Sequence, residues 1–326
     1  AMGGRLLRHW LRYPLTDLRS IQERLDAVEE VKNQPQIRNA IKTRLKSVYD
    51  LERIGSKIAM GHGNGRDLLA LKSSLKALPD VLHHLTGLKG TLYHWNADVS
   101  DLYELAHLIE RAIRDDCPPT LNEGGIIKSG FDADLDALIQ ISQDGKGMLL
   151  KLEAQEKSST NINSLKVRFN KVFGYYIEVP KTHADKVPAH YIRKQTLVNA
   201  ERYITDELKT FEAKVLGAEE RRSTLEYTIF LDVRKQVIEC NAKIQAIAEF
   251  LAQVDCLAAL ADVAALNNYS RPEINNQGTI VIENGRHPVV EKMITGERFV
   301  PNSIKLDNEE NQIIIITGPN MAGKST

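Results

Sequence analysis

From Pro188 to Pro272 the chain runs without an intervening proline, and Gly217 is the only glycine between Pro188 and Gly278. Proline and glycine are the residues that most readily end helices, so their absence removes the usual stops. Ile204, Leu208, Phe211, Val215, Leu225, Ile229, Val233, Val237, Ile244, Ile247 and Leu251 keep helical spacing through this stretch. Roughly 65 helical residues, at about 1.5 Å each, make a rod of about 100 Å. A break near Cys240 is equally allowed, giving two shorter helices. Either way the element is too long for one compact domain and predicts a strut joining separate bodies.

The rest of the chain organises around it. Residues 3 to about 113 read as helices joined by short breaks. Leu18, Ile21, Leu25 and Val28 mark one, and Ile37 to Ile58 another, ended by Gly61-His62-Gly63-Asn64-Gly65. Leu68, Leu71, Leu75 and Leu78 predict a helix stopped by Pro79, and Leu102 to Ala112 a further one. Gly124 to Gly130 reads as a small hairpin or extended turn. From Asp132 a helix carries Leu135, Leu138, Ile139 and Ile141, resuming past Gly145 and Gly147 through Leu152.

There the period changes to two. Leu165, Val167 and Phe169 alternate with polar residues, and after Gly174 so do Tyr175, Ile177 and Val179, which predicts a β-hairpin with one buried face. Tyr191-Ile192-Arg193 can add a strand. The helices entering near Asp132 and leaving after Ala200 can lie side by side, carrying this β tip away from the flanking domains. A new α/β domain is expected from near Arg271, with strands at Thr279-Ile280-Val281-Ile282 and Ile313-Ile314-Ile315-Ile316, the second buried on both faces.

Composition limits the chemistry. Lys+Arg and Asp+Glu are equal at 43 each, so any affinity for nucleic acid must be local. Cys117, Cys240 and Cys256 match no zinc or redox spacing and read as buried small hydrophobes. No uninterrupted apolar run approaches the ~18 residues of a membrane span. The local charge is at the tip: from Ser158 to Ala200 there are seven basic residues and two acidic ones. A positive surface on a long arm suits phosphate-backbone contact, which carries no sequence information; lysines and arginines also guard edge strands, and charge alone does not choose.

The last residues carry the sharpest motif. Gly318-Pro319-Asn320-Met321-Ala322-Gly323-Lys324-Ser325-Thr326 fits G-x-x-x-x-G-K-[ST] and follows an expected strand. Its glycines let backbone N–H groups turn toward phosphate, Lys324 reaches the terminal phosphates, and Ser325 offers its hydroxyl to Mg²⁺. A working site also needs a following helix, an acidic group on a later strand and a means to orient water. With an opening that runs straight into helix, the chain is expected to be an internal piece of a larger protein.

Several stretches together resemble the MutS family of DNA mismatch-repair ATPases. They are the loop Gly318–Thr326, Phe169-Asn170-Lys171-Val172-Phe173-Gly174-Tyr175-Tyr176-Ile177-Glu178-Val179, and Arg193-Lys194-Gln195-Thr196-Leu197-Val198-Asn199-Ala200-Glu201-Arg202-Tyr203. Gly4-Arg5-Leu6-Leu7-Arg8-His9-Trp10-Leu11 and Gly285-Arg286-His287-Pro288 complete the set, in the family's order. The resemblance implies a mainly α multidomain chain: an all-α core/lever domain (1–131 and 197–268), a β-rich clamp (132–196), and the truncated start of an α/β P-loop ATPase domain (269–326). It implies duplex, mismatched DNA as a partner, contacted by the clamp. Lys166, Arg168, Lys171, Arg193 and Lys194 are the candidate contacts.

By the same resemblance, Gly318 to Thr326 hold ATP or ADP with Mg²⁺, the metal through Ser325, and Phe299 and Val300 pack the adenine. A parent homodimer, a MutL-type repair partner, a bacterial cytoplasmic, nucleoid-associated location and no membrane association follow from it. The parent is expected to be an ATPase and this piece inactive. The alternatives are the second bacterial MutS paralogue, which lacks this clamp, and a chromosome-organising long-armed ATPase, in which the loop precedes the arm. Gly65 departs from the proline usual in the family, which should affect only a turn.

Overall fold

A computed structural model describes residues 2–121, 124–170, 174–294 and 299–318. The chain is mainly helical. The body comprises α1 (Met2–Arg12), α2 (Leu18–Lys32), α3 (Pro35–Leu45), α4 (Leu51–Ala59), α5 (Gly65–Leu85) and α6 (Ser100–Ala112). Into it run α7 (Ala133–Thr160), α8 (Asp206–Glu239) and α9 (Asn241–Leu266). The helix starts are legible in their caps: the Asp17, Asp50, Asp132 and Thr205 side chains each accept a backbone N–H from the first turn, and Asn64 with Asp67 forms a reciprocal box.

Helix α9 is the hub. Its buried Ile244, Ile247, Leu251, Val254, Leu257 and Ala261 pack against α1, α2, α3 and α4. Although its sequence lacks an uninterrupted apolar run, α9 is long and apolar enough to cross a membrane by length and composition. In this fold it is the central helix of a bundle, where apolar residues all round are required. The long rod resolves into two helices, α8 and α9, that meet at Cys240 (φ −85°, ψ −1°).

Helix α5 does not stop at Pro79 but continues to Leu85. An interior proline costs about 3 kcal/mol in lost bonding and crowding. Burial of Leu78, Val81 and Leu85 against the body offsets that cost, each residue worth about 1.5–3 kcal/mol.

Helices α7 and α8 form a stalk. At its root Leu135, Ile229 and Phe230 belong to the body core; at its far end Leu152 and Leu208 belong to a second, separate core. From Leu208 to Ile229 is about 30 Å along the helix at 1.5 Å per residue. The two helices pack closely at Gly145, where a Cβ would lie 3.0 Å from Val215 Cγ2. Helix α7 runs unbroken through both of its glycines.

The second core lies under a four-stranded antiparallel sheet of β1 (Lys166–Asn170), β2 (Gly174–Pro180), β3 (Ile192–Thr196) and β4 (Ala200–Ile204), in the order β1-β2-β4-β3. Gly174, at φ +75°, opens β2 in a conformation that favours glycine. The expected hairpin and third strand are present. Strand β4 is a correction: Ile204, counted as a helical position, ends a strand, and α8 begins at Asp206. Pairing of β4 to β2, with Ile177 opposite Tyr203, outweighs local spacing there.

Beyond α9 the described residues form a two-stranded antiparallel sheet, β5 (Ile280–Gly285) with β6 (Asn302–Leu306), and the single turn α10 (Val290–Met293). Arg271 joins this segment to α2 through Asp26 and Glu29. The strand expected at Ile313 to Ile316 is absent: these residues are irregular, and Ile313 and Ile315 are 84% and 83% exposed. A strand exists only beside a hydrogen-bonding neighbour, and none of the described strands lies alongside this run.

Candidate nucleic-acid interface

Side chains alternate across a strand, so the sheet at the end of the stalk has two faces. Val167, Ile177, Val179 and Tyr203 face the helices and are buried with Leu152 and Leu208. The opposite face carries Lys166 and Arg168 from β1, Tyr176 and Glu178 from β2, and Arg202 from β4. Register fixes their neighbours: Lys166 and Arg202 flank Glu178 directly, and Arg168 lies opposite Tyr176.

Arg202 is the most constrained of the cations. Its guanidinium lies over the Tyr176 ring at 4.4 Å and donates to Gln195 Oε1 at 2.8 Å. Its Nε is 3.6 Å from Glu178 Oε2, and Arg168 Nε is 3.9 Å from Glu178 Oε1. Lys166 is exposed on this face, and Arg168 is half exposed. Lys194 is exposed at the irregularity where β3 slips register between Arg193 and Gln195. Arg193 is exposed but turns its Nη1 to Glu201 Oε1 at 3.4 Å. Lys171 lies outside the described residues. The structure therefore brings Lys166 and Arg168 together, sets Lys194 at the edge, and pairs Arg193 within the sheet.

Arg202, Tyr176 and Glu178 were missed as members of this surface. No local signal marked Arg202: Ala200-Glu201-Arg202-Tyr203-Ile204 shows no apolar alternation, and pairing of β4 to β2 sets its place on this face.

Buried polar groups fix the sheet to its stalk. The Tyr191 hydroxyl, just before β3, donates to Glu156 Oε2 of α7 at 2.7 Å, while the Tyr203 hydroxyl donates to Glu201 within β4. Burial, with the adjacent carboxylate, pushes the Tyr203 phenol up to about 12 and the Tyr191 phenol well above its ordinary value. Both therefore stay neutral donors at physiological pH. Glu153 of α7 accepts from Lys157 at 2.6 Å and from the Val167 backbone N–H at 2.9 Å, which hold its carboxyl below the usual range.

The root of the stalk has its own fastening. Glu226 of α8 is 4% exposed, and its carboxylate accepts from the backbone N–H groups of Gly125, Ile126 and Ile127 at 3.0, 2.5 and 3.0 Å. Ile127 also pairs with Ile113 in an isolated antiparallel bridge. The segment that leads into α7 is thereby bound to α8 and to the end of α6.

Of the nucleotide-binding candidates, Gly318 is described, Phe299 is half-buried and Val300 is 74% exposed. Pro319, Asn320, Met321, Ala322, Gly323, Lys324, Ser325 and Thr326 lie outside the described residues. Among the described residues no cluster of three or more His, Cys, Asp or Glu side chains is arranged to hold a metal ion.

Comparison with known proteins adds the family. The family profile described as MutS domain III matches residues 1–261. The chain belongs to the MutS family. It is 56% identical to the DNA mismatch repair protein MutS of Desulforapulum autotrophicum, over all of this chain and 37% of that protein. Identity to the MutS of Desulfatibacillum aliphaticivorans is 51%, again over all of this chain and 37% of the relative. For the MutS of Acetivibrio thermocellus the figures are 49%, all of this chain and 38% of the relative. The chain thus spans a little over a third of the length of these MutS relatives.

Proposed function

We propose that this chain is the core, lever and clamp region of an ATP-dependent DNA mismatch-repair protein, and that its sheet at the end of the stalk lies against duplex DNA. The observation that carries the reading is the cationic outer face of the β1–β4 sheet, held on a two-helix stalk in a chain of MutS membership. Lys166 and Arg168 are the first candidates for phosphate contact, with Lys194 at the edge; Arg193 and Lys171 complete the set. Such contacts position a protein on the duplex without reading its bases.

In this reading the helical body is 1–131 with 197–268, the clamp 132–196, and the remainder the front of an ATPase domain. Lys324 and the backbone of Gly318 to Gly323 would hold the phosphates of ATP or ADP. Ser325 would hold Mg²⁺, Thr326 would complete the loop, and Phe299 with Val300 would pack the base. Hydrolysis belongs to the parent protein, with this region alone inactive. The parent works as a homodimer with a MutL-type partner on mismatched duplex, in the bacterial cytoplasm at the nucleoid. The stalk would carry movement between the nucleotide end and the clamp.

The test is fluorescence anisotropy of a labelled duplex titrated with the chain across a salt series. Affinity should fall linearly with log salt and be the same for matched and mismatched duplexes. Binding insensitive to salt would contradict backbone contact.

A further inference from the structure

Glu178 stands on the cationic face with the wrong sign for a phosphate surface. It is flanked across the ladder by Lys166 and Arg202, and its carboxylate oxygens lie 3.9 Å from Arg168 Nε and 3.6 Å from Arg202 Nε. These separations are beyond direct hydrogen bonds, so Glu178 acts on its neighbours as a charge. Arg202 has other attachments, Gln195 at 2.8 Å and the Tyr176 ring at 4.4 Å. The sheet is held by its ladders and by the core beneath. Glu178 faces the buried Nε of Arg202 and offsets about one of three positive charges on this side of the sheet.

The geometry points to Glu178 as an electrostatic brake on the sheet's grip of the DNA backbone. It repels the phosphates that Lys166 and Arg168 attract, and it draws the Arg168 and Arg202 guanidinium groups toward the sheet rather than outward. The face consequently holds a polyanionic duplex weakly. The inference rests on the DNA reading above and adds to it a residue that sets the strength of contact.

The experiment compares the wild-type chain with Glu178→Gln and Asp185→Asn by duplex anisotropy between about 50 and 200 mM salt. Glutamine keeps the shape without the charge, and circular dichroism confirms equal folding. Asp185→Asn removes the same charge from the exposed turn after β2, off this face. Glu178→Gln should tighten binding about three- to tenfold and steepen the salt slope by about one, the effect of one more engaged cation. Asp185→Asn should change affinity less than about twofold. Unchanged or weaker binding by Glu178→Gln, or an equal gain from Asp185→Asn, overturns the brake while leaving the DNA reading intact. Failure of both wild type and variant to bind at low salt overturns both.

Discussion

Replacing Glu226 by alanine should loosen the root of the stalk, and the size of the effect follows from the three bonds its carboxylate accepts. Truncation leaves the N–H groups of Gly125, Ile126 and Ile127 without their acceptor. Each buried donor left unmet costs about 1–3 kcal/mol. Gly125 is part-exposed and can be rehydrated, whereas Ile126 and Ile127 are 1% and 3% exposed. Two stranded donors, less the relief of no longer burying a charge, give about 3–4 kcal/mol, a large part of the ~5–15 kcal/mol typical of a domain. Glu226→Gln keeps an oxygen for two of the donors but turns an amide N–H₂ toward the third, so about 1–2 kcal/mol is expected. Urea unfolding followed by the fluorescence of Trp10 and Trp95, both packed on the body core, reads the loss directly. With a slope of about 2–3 kcal/mol/M, the alanine midpoint should fall by about 1–2 M. Amide exchange at Ile126 and Ile127 should accelerate with it. An alanine variant within about 0.5 kcal/mol of wild type, with those amides still protected, would refute the assignment.

Other expectations follow from single features. Arg5 makes a bidentate contact with Asp50 at 2.7 Å, and Arg5 holds the Asp50 carboxyl below its ordinary value. Because the folded value is depressed, the pair's contribution is full above about pH 4 and is lost as pH falls through the folded value. Asp50→Asn should therefore cost about 1–2 kcal/mol at pH 7, with the gap to wild type narrowing as pH falls below about 4 in urea titrations. Pro79→Ala should raise the melting temperature, since restoring an interior helix N–H outweighs the ~0.5–1 kcal/mol of extra unfolded-chain entropy; an unchanged or lower value would contradict the account of α5. Gly174→Ala should destabilise the sheet by about 1–2 kcal/mol because of its φ of +75°. Limited proteolysis confined to residues around the β1–β2 connection would report that change.

What the sequence made legible was whatever depends on near neighbours. The helical spacing from Leu208 to Leu251, the helix start at Asp132, and the alternation through Val167 and Ile177 are local patterns, and the elements they predict are present. The misreadings lie where a distant partner decides. Strand β4 is five residues long and contains Glu201 and Arg202; its pairing to β2, some twenty residues earlier, selects strand over helix. Pro79 carries a local stop signal, but the buried positions on either side of it come from packing with the rest of the body. Ile313 to Ile316 have strand composition, and none of the described strands lies beside them. At the tip, the excess of basic residues was visible as a count. Which of them share a face depended on register, which sets Arg202 beside Glu178 and turns Arg193 toward Glu201.

The account turns on the cationic face of the sheet touching DNA phosphates. The salt dependence of duplex affinity, measured for the wild-type chain and for a Lys166→Ala/Arg168→Ala double variant, tests this most directly. Loss of two phosphate contacts should lower the slope of log affinity against log salt by about two, with the binding loss equal for every duplex sequence. An unaltered slope, with both proteins binding DNA equally well, would contradict the claim.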